Sequence, residues 1–446
     1  MPEPASSRLF RALARFLVSL FYRRVEVIGL DRVPGRGALV VAANHQQGLM
    51  DGLLLAARFP RPLRPIAKAP LFRYPIIGPV ARLAGAIPVH RRQDQQGSVP
   101  DNDAMFATAR RALADGDALL IFPEGVSQPE PTLMPLRTGA ARLVLGHESG
   151  PALTLLPVGL MFHEPGTFRV GSAIVLIGEP VPAAAADAPA DDAVKRLTTR
   201  LDAALRGLIV EARDRHTLDL VHAAEEIWRE EMPDVAADPL ARARWRQRAA
   251  RAHSYLSAAE PVRLAALRHR LERYVGDLEE AGLTDRDLSV GYRLRAVLRY
   301  ALRQGLALIV GLPLALWGIV NHVLPYQLTA LVVRALRPDA DVEATYKVVV
   351  GTALYPLCWA LEGWLAWRVL GGRLLAVFLV SLLPTAFFAL SWTERLRRVG
   401  RDTRGLWAVL RDHGLRPHLL ERRRALMDEF QALVERVPER QLEGAS

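Results

Sequence analysis

Between Gly305 and Trp392 the chain carries three long apolar runs, Gly305–Val333, Val348–Leu370 and Leu374–Trp392. A helix needs roughly 18 to 20 apolar residues to cross a bilayer, and the last two runs reach or exceed that length. Three such runs in succession are hard to bury in a soluble core, so residues 304–393 are expected to form a membrane region. Trp364, Trp367 and Trp392 lie near segment ends, as interfacial anchors do, whereas Trp359 falls mid-segment. Arg293, Arg295, Arg299 and Arg303 precede the region; Arg395, Arg397, Arg398, Arg401 and Arg404 follow it. Positive flanks favour the cytoplasmic side, so both ends belong there and the number of crossings must be even. Three runs satisfy this with two crossings plus one re-entrant segment. The first run, interrupted by Pro313 and Pro325, is the candidate for the break.

The rest of the chain is of another kind. With 446 residues it is too long for one ordinary core, and although 50% of it is hydrophobic, 24% is charged. The net charge is +11, almost all from arginine, since only Lys68, Lys195 and Lys347 are lysines. A basic balance suits anionic lipid, phosphorylated substrates or nucleic acid. Nucleic acid is set aside because the basic helices lack interleaved aromatics and any reading motif. The single Cys358 excludes an intramolecular disulfide and a cysteine-based zinc site, and no metal or cofactor is expected. Intracellular chemistry is the default. Oligomeric state leaves no mark in the sequence.

Residues 1–24 read as an amphipathic helix, with Arg8, Arg11 and Arg15 on one face and Leu9, Leu13, Phe16, Leu17 and Leu20 on the other. It is expected either to lie on an anionic membrane or to pack on the domain that follows. Over 25–182, short Val-, Ile- and Leu-rich runs alternate with helical stretches, the pattern of an α/β domain. The alanine- and proline-rich 183–193 reads as a linker, 194–303 as a charged helical region, and 394–446 as a basic helical tail.

Chemistry enters where the apolar run Ala38–Ala43 stops at Asn44-His45, with Asp51 six positions beyond His45. A histidine can take a proton from a hydroxyl, and a carboxylate can fix its tautomer and stabilise the imidazolium. Gly48 between them permits a turn that brings Asp51 back toward His45. Asp51 has a second reading, as a cap on the leucine-rich helix that follows. Further on come Gly85, Ile87 and Arg91, then Phe122-Pro123-Glu124-Gly125 with Ser127, then Arg137 opening a helix, then Leu156-Pro157-Val158. An arginine such as Arg91 can fork two phosphate oxygens, although Arg92 beside it is the alternative.

These four spaced blocks, in this order, resemble those of the glycerolipid acyltransferases that acylate glycerol-3-phosphate or 1-acylglycerol-3-phosphate. The connecting stretch with Lys68, Pro75, Gly78 and Gly85 is similar too, and the resemblance covers roughly residues 25–180. It implies an α/β acyltransferase domain with a central mixed sheet flanked by helices, followed here by a helical region and C-terminal transmembrane helices. It also implies a membrane-bound enzyme with its catalytic domain on the cytoplasmic face, using acyl-CoA or acyl carrier protein as co-substrate and a phosphorylated glycerol as acceptor.

By the resemblance, His45 would be the general base and Asp51 its partner. Arg91 would bind the acceptor phosphate; Glu124, Gly125 and Ser127 would shape the acceptor site. Lys68, Gly85 and Pro157 would line the substrate site. Two departures stand out. Five residues separate His45 from Asp51 where the family usually has four, a spacing shared by a branch resembling fungal glycerol-3-phosphate or dihydroxyacetone-phosphate acyltransferases. Val126 and Gln128 stand where the family often carries Thr and Arg, leaving Lys68, Arg92 or Arg137 to supply part of the phosphate grip. The competing reading is a silent relative that serves as a membrane lipid-binding scaffold; loss of His45 or Asp51 would mark it, and both are present.

Overall fold

The computed structural model describes residues 4–90, 102–147, 150, 152–163, 168–169, 171–183, 190–212, 214–289, 294–412 and 414–443. Its contacts divide the chain into two compact units. The first comprises Met1–Leu218, Pro338–Val349 and Glu443–Ser446; the second comprises Asp219–Arg337 and Val350–Leu442.

The first unit is built on a seven-stranded sheet: β1 (Arg24–Ile28), β2 (Ala38–Ala43), β3 (Leu63–Lys68), β4 (Ile87–Val89), β5 (Ala118–Ile121), β6 (Leu153–His163) and β7 (Ser172–Ile177). They lie in the order β1-β7-β6-β2-β5-β3-β4. Every neighbouring pair is parallel except β6 and β7, which makes the sheet mixed, as expected. Around it stand α1 (Ala5–Phe21), α2 (Leu49–Arg58), α3 (Ile77–Leu83), α4 (Asp103–Ala114), α5 (Gly139–Leu145) and α6 (Ala190–Arg206). The central strand β2 shows why the sequence folds this way. Leu39, Val41 and Ala43 enter a core shared with α1 and α2, while Ala38, Val40 and Ala42 enter a second core shared with α4, α5 and α6. A strand covered on both faces reads as a continuous apolar run, not an alternating one.

The structure adds to several expectations and alters others. β3 and β4 are strands the sequence pattern did not reveal. α6 begins at Ala190, inside the stretch read as a linker. α1 packs on the sheet unit through Phe10, Ala14, Val18 and Phe21, a stripe rotated from the one read off the sequence, and Leu9 and Phe16 stay exposed. Arg11 is not on a solvated face: its guanidinium donates to the Phe59 carbonyl just past the end of α2, at 2.7 Å.

The second unit is helical. Asp285 and Arg423 are both buried in it; Arg423 pairs with Glu231 at 2.9 Å and lies 3.5 Å from Asp285, which also accepts a hydrogen bond from the Tyr274 hydroxyl. Burial pushes the Asp285 carboxyl above its usual range, with Tyr274 and Arg423 pulling it back. Removing one member of a buried ion pair typically costs about 3–5 kcal/mol because a charge is left uncompensated. Arg423→Ala is therefore expected to lower the unfolding midpoint of this unit sharply in a thermal melt, and an unchanged melt would show that the pair does not hold the helices.

Among the described residues three helices are long and apolar enough to cross a membrane, within Arg299–Leu336, Glu343–Val369 and Leu374–Gly405; the second of them begins in the first unit. The first belongs to one unbroken helix, Leu294–Leu336, with both Pro313 and Pro325 inside it, so the break expected at the prolines is not there. An apolar helix tolerates a proline when neighbouring groups hold the turn it weakens. Trp392 Nε1 donates to the Leu308 carbonyl at 3.0 Å and Trp317 Nε1 to Ser381 Oγ at 3.1 Å, from or onto the neighbouring helix Gly372–Arg411. A Cβ on Gly318 would come within 2.3 Å of the Thr385 carbonyl oxygen, so this close helix contact requires glycine.

Candidate active site

β2 and β5 are neighbours at the middle of the sheet, and both point the same way. The loops leaving their C-terminal ends carry Asn44-His45 and Pro123-Glu124-Gly125. In open α/β sheets this is where chemistry gathers, because the strand ends hold loop residues rigidly. Asn44 fixes the first loop. Its buried amide donates to the Leu160 carbonyl at 2.9 Å and accepts from the Leu160 amide at 2.6 Å, stitching β2 to β6 just beyond Leu156-Pro157. Pro157 itself is buried in β6, in register with Ala42.

Gly48 turns the chain into α2 with φ +53°, a conformation that favours glycine. That turn returns Asp51, fully buried in the first turn of α2, to the residues it left. Asp51 Oδ2 lies 2.8 Å from His45 Nδ1 and accepts the backbone amides of Gln46 and Gln47, also at 2.8 Å. A carboxylate oxygen that already accepts two amides can only accept again, so Nδ1 carries the hydrogen and Nε2 is the nitrogen left to take a proton. Asp51 thus does not cap the helix itself: it binds backbone amides ahead of the helix and orients the imidazole. The ring stacks on Phe122 with centroids 4.0 Å apart, and the His45 side chain remains 18% exposed, enough to meet a substrate.

Glu124 is buried and holds the other side of the loop. One of its oxygens accepts the His45 amide at 2.7 Å, the other the Met134 amide at 3.0 Å. Burial raises its pKa, and the two amides and His45 oppose the rise. The sequence reading placed Glu124 at the acceptor; its described carboxylate contacts are with the backbone amides of His45 and Met134. Gly125 has φ +75°, and a Cβ there would meet Arg137 Nε at 2.5 Å. Arg137 Nε donates to the Glu124 carbonyl at 3.3 Å, so this exposed arginine stands directly beside the loop. Ser127 donates its hydroxyl to Asp341, a residue no sequence signal connected with the site. Lys68 is exposed at the end of β3, and Gly85 adopts φ +65° against the Arg64 side chain. Arg91 and Arg92 lie outside the described residues.

Residues 24–161 match the family model for Acyltransferase. Over this stretch the chain is similar to that family. Within it the structure brings together His45, Asp51, Glu124, Gly125 and Ser127. An uncharacterized protein of Mycobacterium tuberculosis is 35% identical over 127 residues, covering 27% of this chain and 31% of that protein. Glycerol-3-phosphate O-acyltransferase 1 of Saccharomyces cerevisiae is 27% identical over 143 residues, covering 29% of this chain and 18% of that protein. Human 1-acyl-sn-glycerol-3-phosphate acyltransferase alpha is 28% identical over 138 residues, covering 31% of this chain and 47% of that protein. The matches thus span less than half the length of each of these relatives.

Proposed function

We propose that the protein is a membrane-bound O-acyltransferase of phospholipid synthesis. It moves a fatty acyl group from acyl-CoA or acyl carrier protein to the hydroxyl of glycerol-3-phosphate or 1-acylglycerol-3-phosphate. The observation that carries this reading is the His45–Asp51 pair, held at a strand end with Nε2 left for a proton. The names of the yeast and human relatives support the acceptor class, and the five-residue His–Asp spacing favours glycerol-3-phosphate within it.

The reaction needs no covalent intermediate on the protein. As the acceptor oxygen attacks the thioester carbonyl, His45 Nε2 takes its proton, and Asp51 stabilises the imidazolium that forms. The new C–O bond is made, the C–S bond breaks, and the proton passes to the departing thiolate. Gathering alcohol and thioester at one site supplies much of the rate. Arg91, with Lys68 and Arg137, supplies positive charge for the acceptor phosphate. The three apolar helices and the exposed Leu9 and Phe16 of α1 keep the enzyme at the bilayer, where acyl chains reside, and the arginines that precede the first of these helices support a catalytic unit on the cytoplasmic face.

The test is an acceptor panel. The full chain in lipid vesicles is offered labelled acyl-CoA or acyl carrier protein with glycerol-3-phosphate, dihydroxyacetone-phosphate or 1-acylglycerol-3-phosphate in turn. Transfer to glycerol-3-phosphate or its monoacyl form is expected. Transfer only to a lipid without a phosphate, or to none, would overturn the proposal.

A further inference from the structure

The helix α2 that presents Asp51 begins after a glycine, which has no side chain to cap it. Gly48 is its N-cap residue and makes no side-chain hydrogen bond. The first amide of the helix is nonetheless satisfied. Leu49 N–H donates to Thr345 Oγ1 at 3.1 Å, from a residue 296 positions further along the chain. Thr345 belongs to Pro338–Val349, which runs from just after the helix Leu294–Leu336 into the first turns of the helix Glu343–Leu370 and is part of the first unit. It is embedded there. Ala344 is fully buried in the same core as β2 and α2, Val348 packs against that core, and Asp341 and Thr345 are both buried. A Cβ on Gly48 would lie 3.2 Å from Thr345 Oγ1, 3.3 Å from Val342 Cγ1 and 3.4 Å from the Asp341 carbonyl. The catalytic turn and the distant segment are therefore fitted to each other. On the other loop, Asp341 accepts the hydroxyl hydrogen of Ser127, three residues beyond Glu124.

We infer that Pro338–Val349 completes the acyltransferase site, with Thr345 and Asp341 as positioning residues: Thr345 caps the helix that carries Asp51, and Asp341 anchors the loop that carries Glu124. The inference rests on the acyltransferase reading of His45 and Asp51. It assigns a role in that site to residues well beyond 24–161, the part that matches the family model. It also sets the state of Ser127. With its hydrogen committed to Asp341, Ser127 offers the acceptor an oxygen lone pair and not a donor, so it orients a substrate hydroxyl and does not grip a phosphate.

The experiment compares Thr345→Val, which keeps the shape and loses the oxygen, with Thr345→Ser, which keeps the oxygen. Both are made in the full chain in vesicles. A lost helix cap is expected to lower kcat about fivefold in Thr345→Val while KM for the acyl donor holds, and Thr345→Ser restores most of the rate. Hydrogen exchange of the peptide spanning residues 44–58 should quicken in Thr345→Val and not in Thr345→Ser. Asp341→Ala should slow turnover in the wild-type background and add little to Ser127→Ala, because the two act as one unit. Unchanged exchange, or changed exchange with wild-type kcat, overturns the inference. Wild-type protein inert toward every acceptor removes the acyltransferase reading instead, and the exchange arm still decides whether the segment holds α2.

Discussion

His45→Ala will slow acyl transfer by about 10²–10⁴ while leaving the fold intact. The imidazole is partly exposed and stacks on Phe122, so its loss removes one ring contact and opens space toward solvent, not a hole in the core. The backbone amide of residue 45, which binds Glu124, is kept. What disappears is the only side chain in the described site with a nitrogen free to accept the hydroxyl proton. General-base catalysis is worth about 10²–10⁴ in rate, so kcat should fall by about that factor. A labelled-acyl assay on vesicles at saturating substrate, beside a thermal melt, checks it. A variant that turns over within tenfold of wild type would remove His45 from the mechanism.

Asp51→Asn is the second large effect, and it separates charge from shape. The carboxylate oxygen that faces His45 also binds the amides of Gln46 and Gln47, in a position with no exposure. An asparagine that turns its oxygen to the two amides keeps the loop but loses the charge that stabilises the imidazolium. If it turns its NH₂ inward, it confronts three donors. In either orientation kcat should fall about 10²- to 10⁴-fold, as expected when the histidine loses its carboxylate. The loop also loses part of a buried hydrogen-bond cluster, worth about 1–3 kcal/mol. Kinetics and melts on one preparation separate the two effects: a loss of kcat far beyond the loss of stability assigns the charge to catalysis. Equal and small losses would leave Asp51 as an anchor of the loop alone.

Much of this site was legible in the sequence, for a physical reason. β2 and β5 are buried on both faces, so they appear as unbroken apolar runs whose ends mark where loops begin. His45, Asp51 and the Glu124–Gly125 turn stand at those ends, and Gly48 signals the reversal between them. β3 and β4 were missed because Arg64, Pro65, Lys68 and Pro88 interrupt their apolar pattern. β4 is an edge strand, where proline costs no ladder bond, and β3 lies next to it. The buried stripe of α1 was misplaced because the helix has apolar residues on more than one side, and only packing decides which are covered. Glu124 carried a signal of position but not of partner, since its bonds are to backbone amides, which leave no trace in residue identity. Asp341 and Thr345 carried no signal at all. Their part in the site follows from contacts across 296 and 214 residues of chain, made by short polar side chains that form no pattern of their own.

Direct acyl transfer by a histidine–aspartate pair makes thiol release depend on the acceptor. The full chain in vesicles is mixed with acyl-CoA, and free thiol is followed with and without glycerol-3-phosphate or 1-acylglycerol-3-phosphate, for wild type and for His45→Ala. Thiol release is expected only when an acceptor is present, one thiol for each acylated product, and from the variant at a rate lower by about 10²–10⁴. Thiol release without acceptor, with the acyl group retained on the protein, would contradict it.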